Sequence, residues 1–266
     1  MTASAERETL AIVMMTRNEQ TRLPACLERV SNWADEIVII DDNSTDRTVE
    51  IAQQYGAKVF AYACEDDHCR QWNRGIDHAS SDWILHIDAD EWVTPGLKEA
   101  LAAMLREPSP YSAFEIMRKN VFIGHPMLHG GWYHKHLVLF RRDKARCIGS
   151  GIHSGARLRV DGSIGFMPAD VEHFPFDSLS QYIARQNHYT SVEAQALIRE
   201  KGSIKQNRVV AQMAWKPWKV FQKRYFKQKG HKDGWHGFAF AVLAAFMHFV
   251  LWAKYWEAKE LGYAKA

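Results

Sequence analysis

Hydrophobic positions in the first hundred residues come in short, nearly unbroken runs separated by amphipathic stretches. Leu10 to Met15, Ile37 to Ile40, Lys58 to Ala61 and Trp83 to Ile87 are such runs, and their shortness and continuity predict strands buried on both faces. Between them apolar residues recur at helical spacing, at Leu23, Cys26, Leu27 and Val30 within Leu23 to Trp33, then across Thr48 to Tyr55 and Cys69 to Ala79. Ser44, Thr45 or Asp46 would cap the second of these helices. Strand and helix in alternation predict an α/β fold with a mostly parallel sheet flanked by helices. In such sheets ligands sit at the carboxyl ends of the strands.

The texture then changes. Leu97 to Leu105 reads as a helix, and Ser112 to Phe122 and Leu137 to Phe140 as strands on either side of GHPMLHGGWYHKH. Arg157 to Val160 and Gly165 to Met167 predict a hairpin turning at Asp161-Gly162. Ser178-x-x-Gln181 matches a capping box and opens a long helix to Glu200.

Charge separates the remainder from what precedes it. The chain of 266 residues carries +3 overall, yet Arg199 to Lys232 holds eleven Lys and Arg against Glu200 alone. A segment this basic selects phosphate-bearing partners: an anionic membrane, an anionic substrate or nucleic acid. Gly237 to Ala253 follows, 17 residues with His248 as the one polar side chain, slightly short of a bilayer span. Trp235, Trp252, Tyr255 and Trp256 flank it, and Trp215, Trp218, Phe221, Tyr225 and Phe226 interleave with lysines upstream. Aromatic and basic residues mixed in this way suit an anionic headgroup layer. The expectation is an anionic membrane surface met by residues 215–256 and no nucleic acid, with a buried C-terminal helix as the alternative.

With 47% hydrophobic and 24% charged residues the chain is neither disordered nor collagenous. Cys26, Cys64, Cys69 and Cys147 form no C-x-x-C pair and are expected as reduced thiols of a cytosolic protein. No apolar core precedes Leu10, so no secretory signal is expected.

Acidic clusters follow the second and fourth strands. Asp88-x-Asp90 leaves a buried strand with two carboxylates able to hold one divalent cation against a diphosphate, and oxygen ligands suit Mg2+ or Mn2+. Asp41-Asp42-Asn43-Ser44-Thr45-Asp46 supplies acceptors for ribose hydroxyls or a base N–H, or else an Asx turn capping the next helix. Glu19 lies at the same sheet edge. Neither G-x-G-x-x-G nor G-K-[ST] is present, which disfavours dinucleotide oxidoreductases and P-loop hydrolases. Trp33, Trp72, Trp83 and Trp92 read as core or rim aromatics, whereas Trp132, between glycines and a polar stretch, is expected to be exposed for stacking on a sugar.

Together TRNE, DDNSTDRT and WILHIDADE, each after a strand, resemble family 2 inverting glycosyltransferases of the GT-A fold. RKNVFIG, HGGWY, LFRR, Ile152-His153 and KDGWHGF before an apolar helix extend the resemblance to the lipopolysaccharide core glucosyltransferase-like subgroup, over roughly Leu10 to Glu257. The resemblance implies a Rossmann-like catalytic domain over 1–176, divided into a nucleotide-sugar half (1–107) and an acceptor half (108–176). A helical, membrane-associating extension over 177–266 would follow. It implies a UDP-sugar or other nucleotide-diphosphate sugar as donor and a lipid-linked envelope glycan as acceptor, on the inner face of the cell membrane. Thr16, Asn18, Glu19, Asp41, Asp42, Asp88 and Ala89 would bind the donor, with Glu19 and Asp41 on uridine. Asp88 and Asp90 would hold Mn2+ or Mg2+, with His173 as a further ligand. His129, Gly130, Gly131 and Trp132 would belong to the acceptor side.

Three positions depart from the subgroup. Its Val-His-Glu element is Ile152-His153-Ser154 here, an acidic position after GGWY is His134-Lys135-His136, and an arginine before the LF pair is Val138. An inverting transfer needs a base at the acceptor hydroxyl. His153 is the expected catalytic base, since imidazole titrates near neutrality, with Asp170 and Glu172 as alternatives. Ser154 also leaves open a catalytically silent, membrane-bound relative. IDADEWV superficially matches a haloacid dehalogenase-type phosphotransferase, but that loop follows the first strand of its fold, not the fourth.

Overall fold

The computed structural model describes residues 7–65, 67–149, 157–202 and 204–261, which divide into two compact units. One comprises Met1–Arg118 with Lys135–His173, the other Lys119–His134 with Phe174–Ala266.

In the first unit four parallel strands lie in the order β3 (Lys58–Ala61), β2 (Glu36–Asp41), β1 (Leu10–Thr16) and β4 (Trp83–His86). The registers Thr16↔Asp41 and Val13↔His86 bring their carboxyl ends to one edge. The sheet continues through β8 (Tyr133–Arg141), β6 (Ala113–Phe122) and β11 (Ile164–His173) to β5 (Glu91–Val93). Here β8 runs antiparallel to β4, and β5 antiparallel to β11.

Unbroken apolar runs are needed because successive residues of one strand enter different cores. Leu10, Ile12 and Met14 pack on one face with α1 (Leu23–Leu27), α2 (Thr48–Gln54) and α4 (Pro95–Met104). Ala11 and Val13 pack on the other with Ile76 of α3 (His68–His78) and Ala145 of β9 (Ala145–Ile148), which pairs β10 (Arg157–Val160). Each buried Leu or Ile contributes about 1.5–3 kcal/mol. Local signals set the helix starts: Asp46 accepts from the Thr48 amide (3.0 Å), Asp67 from Arg70 (3.1 Å), and Thr94 from Leu97 (3.2 Å).

Three expectations are corrected. The helix over Leu23 to Trp33 ends at Leu27 and gives way to turns. The hairpin across Asp161-Gly162 does not form: β10 pairs instead with β9, in the register Arg157↔Ile148 to Val160↔Ala145, while β11 joins the main sheet beside β6. Cys69 and Cys147, expected as thiols, are joined as a disulfide between α3 and β9 with Cα atoms 5.2 Å apart; a separation of 78 residues carries no local spacing signal. Among the described residues Cys26 and Cys64 are not joined in a disulfide.

The second unit contains β7 (His125–Pro126), which pairs the end of β6, and three long helices, α5 (Leu179–Lys201), α6 (Gln206–Gln222) and α7 (Gly234–Glu260). A π-helical turn (Lys223–Lys227) and a 3-10 turn (Gly230–Asp233) join α6 to α7. The cap expected at α5 is present, the Ser178 hydroxyl accepting from the Gln181 amide at 3.1 Å. Phe122, Met127, Phe176, Tyr182 and Phe240 form one core, and Ala194, Val209, Leu251, Trp252 and Tyr255 another. The apolar run divides between the two sides of α7. Phe240, Met247, Leu251 and Tyr255 are buried, while Trp235, Phe238, Val242, Phe246, Phe249 and Trp256 are exposed.

Candidate functional site

Two loops at the carboxyl edge of the parallel strands are pinned to each other. Thr16 donates to Asp41 (3.1 Å), and Asp41 also accepts from the Ser44 amide (2.8 Å) and hydroxyl (2.6 Å). Asn18, at φ 55°, donates its amide to Ser44 Oγ (2.9 Å) while its Oδ1 accepts from Thr45 (2.8 Å). Asparagine tolerates this left-handed backbone better than other non-glycine residues. Glu19, half-buried, donates its amide to the Thr48 hydroxyl (2.8 Å). Asp42 accepts from the Cys64 amide (2.8 Å) and pairs with Arg17 (3.0 Å). Asp41 is therefore committed within the buried edge, shaping the loop that presents its neighbours.

The acidic turn after β4 is closed from both ends, Asp88 N donating to Glu91 Oε2 and Glu91 N to Asp88 O, each at 3.0 Å. Ala89 is buried in the core beneath it. The register His173↔Glu91 between β11 and β5 sets His173 beside the turn, with Nε2 3.5 Å from Asp90 Oδ1. Arg22 Nη1 lies 3.7 Å from the other Asp90 oxygen. Burial would raise the Asp90 pKa, but the His173 contact and the charges of His173, Arg22 and Arg118 outweigh it, so the group is held below its ordinary value. Asp88 is 47% exposed and directs Oδ2 to Arg118 Nη2 at 3.3 Å. Of the three expected metal ligands, Asp90 and His173 thus converge, while Asp88 rests on a cation.

Sequence reasoning did not single out Arg22, Arg118 or Glu91 in this turn. Glu91 is buried, with Arg118 Nε 2.6 Å from Oε1 in an ion pair not aligned as a hydrogen bond. Burial and the nearby Asp88 and Asp90 push the Glu91 pKa up against Arg118. Its place directly after D-x-D was the available signal; Arg22 had none. Cys26 lies below, its Sγ 3.8 Å from Asp88 O, and burial first, then the three carboxylates, push its pKa up, so it stays a thiol. His86 is buried and stacked on Trp72 at 3.8 Å, and burial pulls its pKa down to about 4.

Of the remaining expected residues, His153 lies outside the described residues, as do Ile152 and Ser154. His129 donates its amide to Asp233 (2.9 Å) and sets Nδ1 2.9 Å from the same carboxylate. Gly130, at φ 68°, bonds Gln228 O and accepts from Arg224, both at 2.9 Å. HGGWY and KDGWHGF are therefore one structural element of the second unit, with His125 and His236 stacked at 4.4 Å. Trp132 is not freely exposed as expected. Its ring is half-buried and stacks on Phe240 at 4.2 Å, because Asn120, Phe176 and Phe240 enclose the loop that the glycines open.

A cavity of about 570 Å3 opens at the opposite ends of the strands, beside Thr9, Ile37 and Lys58. Its buried Glu36 already accepts from Lys58, Ser80 and Ser81, which marks it as a structural junction.

Residues 11–157, more than half of the chain, match the model of glycosyl transferase family 2. The chain belongs to that family. This glycosyltransferase is 26% identical to an uncharacterised glycosyltransferase of Rickettsia felis, over 94% of this chain and 90% of that protein. It is 27% identical to the lipopolysaccharide core biosynthesis glycosyltransferase LpsC of Rhizobium meliloti, over 95% and 93%. Among solved structures, glucosyl-3-phosphoglycerate synthase from Mycobacterium tuberculosis in complex with Mn2+, UDP and phosphoglyceric acid matches with a TM-score of 0.49 at 15% identity, over 71% of this chain and 78% of that one. The chain is a family 2 nucleotide-sugar transferase with a mixed α/β, GT-A-like fold.

Proposed function

We propose that this glycosyltransferase moves a hexose from UDP, with inversion, onto a lipid-linked envelope glycan such as a lipopolysaccharide core, working at the inner face of the cell membrane. The observation that supports the donor half most is the convergence of Asp90 and His173 at the carboxyl edge of the parallel strands, beside the Thr16–Asp41 loops. A full-length relative named for lipopolysaccharide core biosynthesis supports the acceptor class.

One carboxylate and one imidazole form an incomplete shell for a divalent cation, and among the described residues no group of three or more His, Cys, Asp or Glu gathers to complete it. That fits Mn2+ or Mg2+, which is commonly held by one or two protein ligands with diphosphate and water filling the rest. Asp90 and His173 would hold the ion, which neutralises charge on the departing diphosphate. Asp88, exchanging Arg118 for the donor, would face ribose or the ion. Thr16, Asn18, Glu19 and Asp42 would border the nucleotide, while Ala89, expected there too, lies in the core beneath the turn. His153, or else Asp170 or Glu172, would take the proton of the acceptor hydroxyl as its oxygen bonds the anomeric carbon and the carbon–diphosphate bond breaks. His129, Gly130, Gly131 and Trp132 would contact the acceptor.

Membrane association is supported by one continuous patch. Trp218, Phe221, Phe238 and Trp235 touch ring to ring from α6 to α7, and Trp235 is 80% exposed. Exposed Lys216, Lys219 and Lys223 lie on or next to α6, with Lys219 over the Trp215 ring at 5.7 Å. Aromatic anchors with lysines suit an anionic leaflet.

Calorimetry with UDP-glucose, UDP-galactose and UDP-N-acetylglucosamine, each with and without Mn2+, tests the donor reading. Metal-dependent binding of a donor, followed by sugar release or transfer, is expected. Absence of binding for every nucleotide sugar overturns it, and UDP binding without turnover on any glycolipid favours a silent relative.

A further inference from the structure

Within the second unit α5, α6, α7 and the ring of Trp132 line a cavity of about 370 Å3, and apart from Trp132 none of its lining has a part in the reaction described above. Its lining is aromatic at one end, with Trp132, Tyr182 and Phe240, and aliphatic along α7 past Ala244 to Leu251. Tyr182 to Glu193 on α5 and Phe240 to Leu251 on α7 each span about 16 Å of helix, so the cavity is an elongated slot.

Two polar groups in this slot have unmet needs. Arg224 is half-buried at the aromatic end, where one guanidinium N–H bonds Gly130 O at 2.9 Å and the charge lies 5.2 Å from the Phe240 ring. Among the described residues no carboxylate is paired with it. Glu193, which also lines the slot, is exposed at the far end. A guanidinium withdrawn from water without a counter-ion is costly unless an anion joins it. His248, the one polar side chain of the apolar run, lines the same slot, and its Nε2 is buried without a hydrogen-bond partner. A helix serving only to pack or to meet lipid has no need of an imidazole there.

We propose that this slot binds one amphiphile bearing an oxyanion, with the phosphate or carboxylate on Arg224, a polar group near His248 and the apolar portion along α7. The inference rests on the glycosyltransferase reading only in that such a ligand is the membrane-borne part of the acceptor. Planar guanidinium donors left over from the Gly130 bond match an oxyanion. A slot of this volume is in the usual range for small amphiphilic ligands. The exposed patch on Trp235 and Trp218 is a separate surface that would hold the leaflet, whereas the slot would take a single molecule from it.

Calorimetry on the full chain with dodecyl phosphate, against dodecyl maltoside and inorganic phosphate, tests this. Dodecyl phosphate is expected to bind saturably at one site, about ten-fold or more tighter than either control. Arg224→Gln should weaken it by about ten-fold or more and Arg224→Lys by less. Ala244→Phe fills the slot without touching a charge and should abolish the site even if Arg224→Gln disturbs the Gly130 loop. Dodecyl phosphate binding that is unchanged by Ala244→Phe, or no tighter than dodecyl maltoside, overturns the proposal. Tighter binding of inorganic phosphate alone would make the site one for a free anion and overturn it equally. Mn2+-dependent UDP binding, measured on the same samples, should be untouched by Ala244→Phe, so failure of the donor reading is seen separately.

Discussion

Asp90 sits in a turn whose backbone is closed by Glu91, and its carboxylate meets His173 and Arg22 at 3.5 and 3.7 Å, contacts that a bound cation would replace. Asp90→Asn should therefore weaken Mn2+-dependent UDP binding by about 100-fold or more while lowering the thermal midpoint only modestly, since the neutral amide loses the charge that His173 and Arg22 stabilise, as read by calorimetry and melting on one preparation. Glu91 and Arg118 stand in the opposite position, paired at 2.6 Å with Glu91 buried. Arg118→Met leaves that carboxylate without its cation and should cost about 3–5 kcal/mol in urea unfolding. Arg118→Met with Glu91→Leu should recover much of the loss, because two apolar groups replace two charges; a double variant as unstable as the sum of the singles would show that the ion pair does not couple them. Asp88 and Asp90 were legible as a motif, since two carboxylates after a buried strand stand out by type and place. Arg22 and Arg118 were not, because a cation's role depends on which carboxylate the fold brings to it, and the chain brings Arg118 from 30 residues away.

At the scale of elements, periodicity gave the four parallel strands and α2 and α3 nearly to the residue, because β1, β2 and β4 each feed two cores and so admit few polar positions, whereas α1 stops six residues short of its apolar period. It failed where pairing depends on distant chain: β5, three residues long, exists because β11 lies beside it, and β10 takes the edge of β9. Glu36 shows how such junctions are held. It opens β2 and accepts from Lys58 (2.7 Å), Ser80 (2.7 Å) and Ser81 (3.3 Å), binding the starts of β2 and β3 to the turn before β4. Burial alone would raise its pKa, yet the Lys58 and Ser80 hydrogen bonds lower it below its ordinary value of 4.5. A carboxylate with a depressed folded pKa contributes stability that is complete above the unfolded pKa and is lost as pH falls through the folded one. The urea midpoint should thus drop as pH falls below 4.5, and Glu36→Gln should flatten that dependence at a cost of roughly 1.5–3 kcal/mol at neutral pH. An unchanged pH slope in the variant would place the acid-labile contribution elsewhere.

Over the whole molecule charge is sorted rather than mixed: Arg199 to Lys232 holds eleven cations and one carboxylate in a chain of only +3, so the remaining sequence is net acidic. That sorting was legible in the sequence, but which side of the apolar helix meets water was not, since Gly237 to Ala253 is hydrophobic all round. The structure divides it, with Phe240, Met247 and Leu251 inward and Phe238, Val242, Phe246 and Phe249 outward at steps of three and four residues. An exposed stripe of this length beside lysines would bind an anionic leaflet through two additive contributions that respond differently to salt. Near the surface each lysine contributes about 1 kcal/mol, so Lys216→Gln with Lys219→Gln and Lys223→Gln should weaken binding to phosphatidylserine-containing vesicles by roughly 100-fold. That loss should shrink as salt shortens the screening length. Phe246→Glu removes apolar insertion instead, and its effect on vesicle flotation should persist at high salt. Equal flotation of the parent with neutral and anionic vesicles, insensitive to the lysine substitutions, would leave the basic segment without a membrane role and return it to the acceptor slot as the place where phosphate is met.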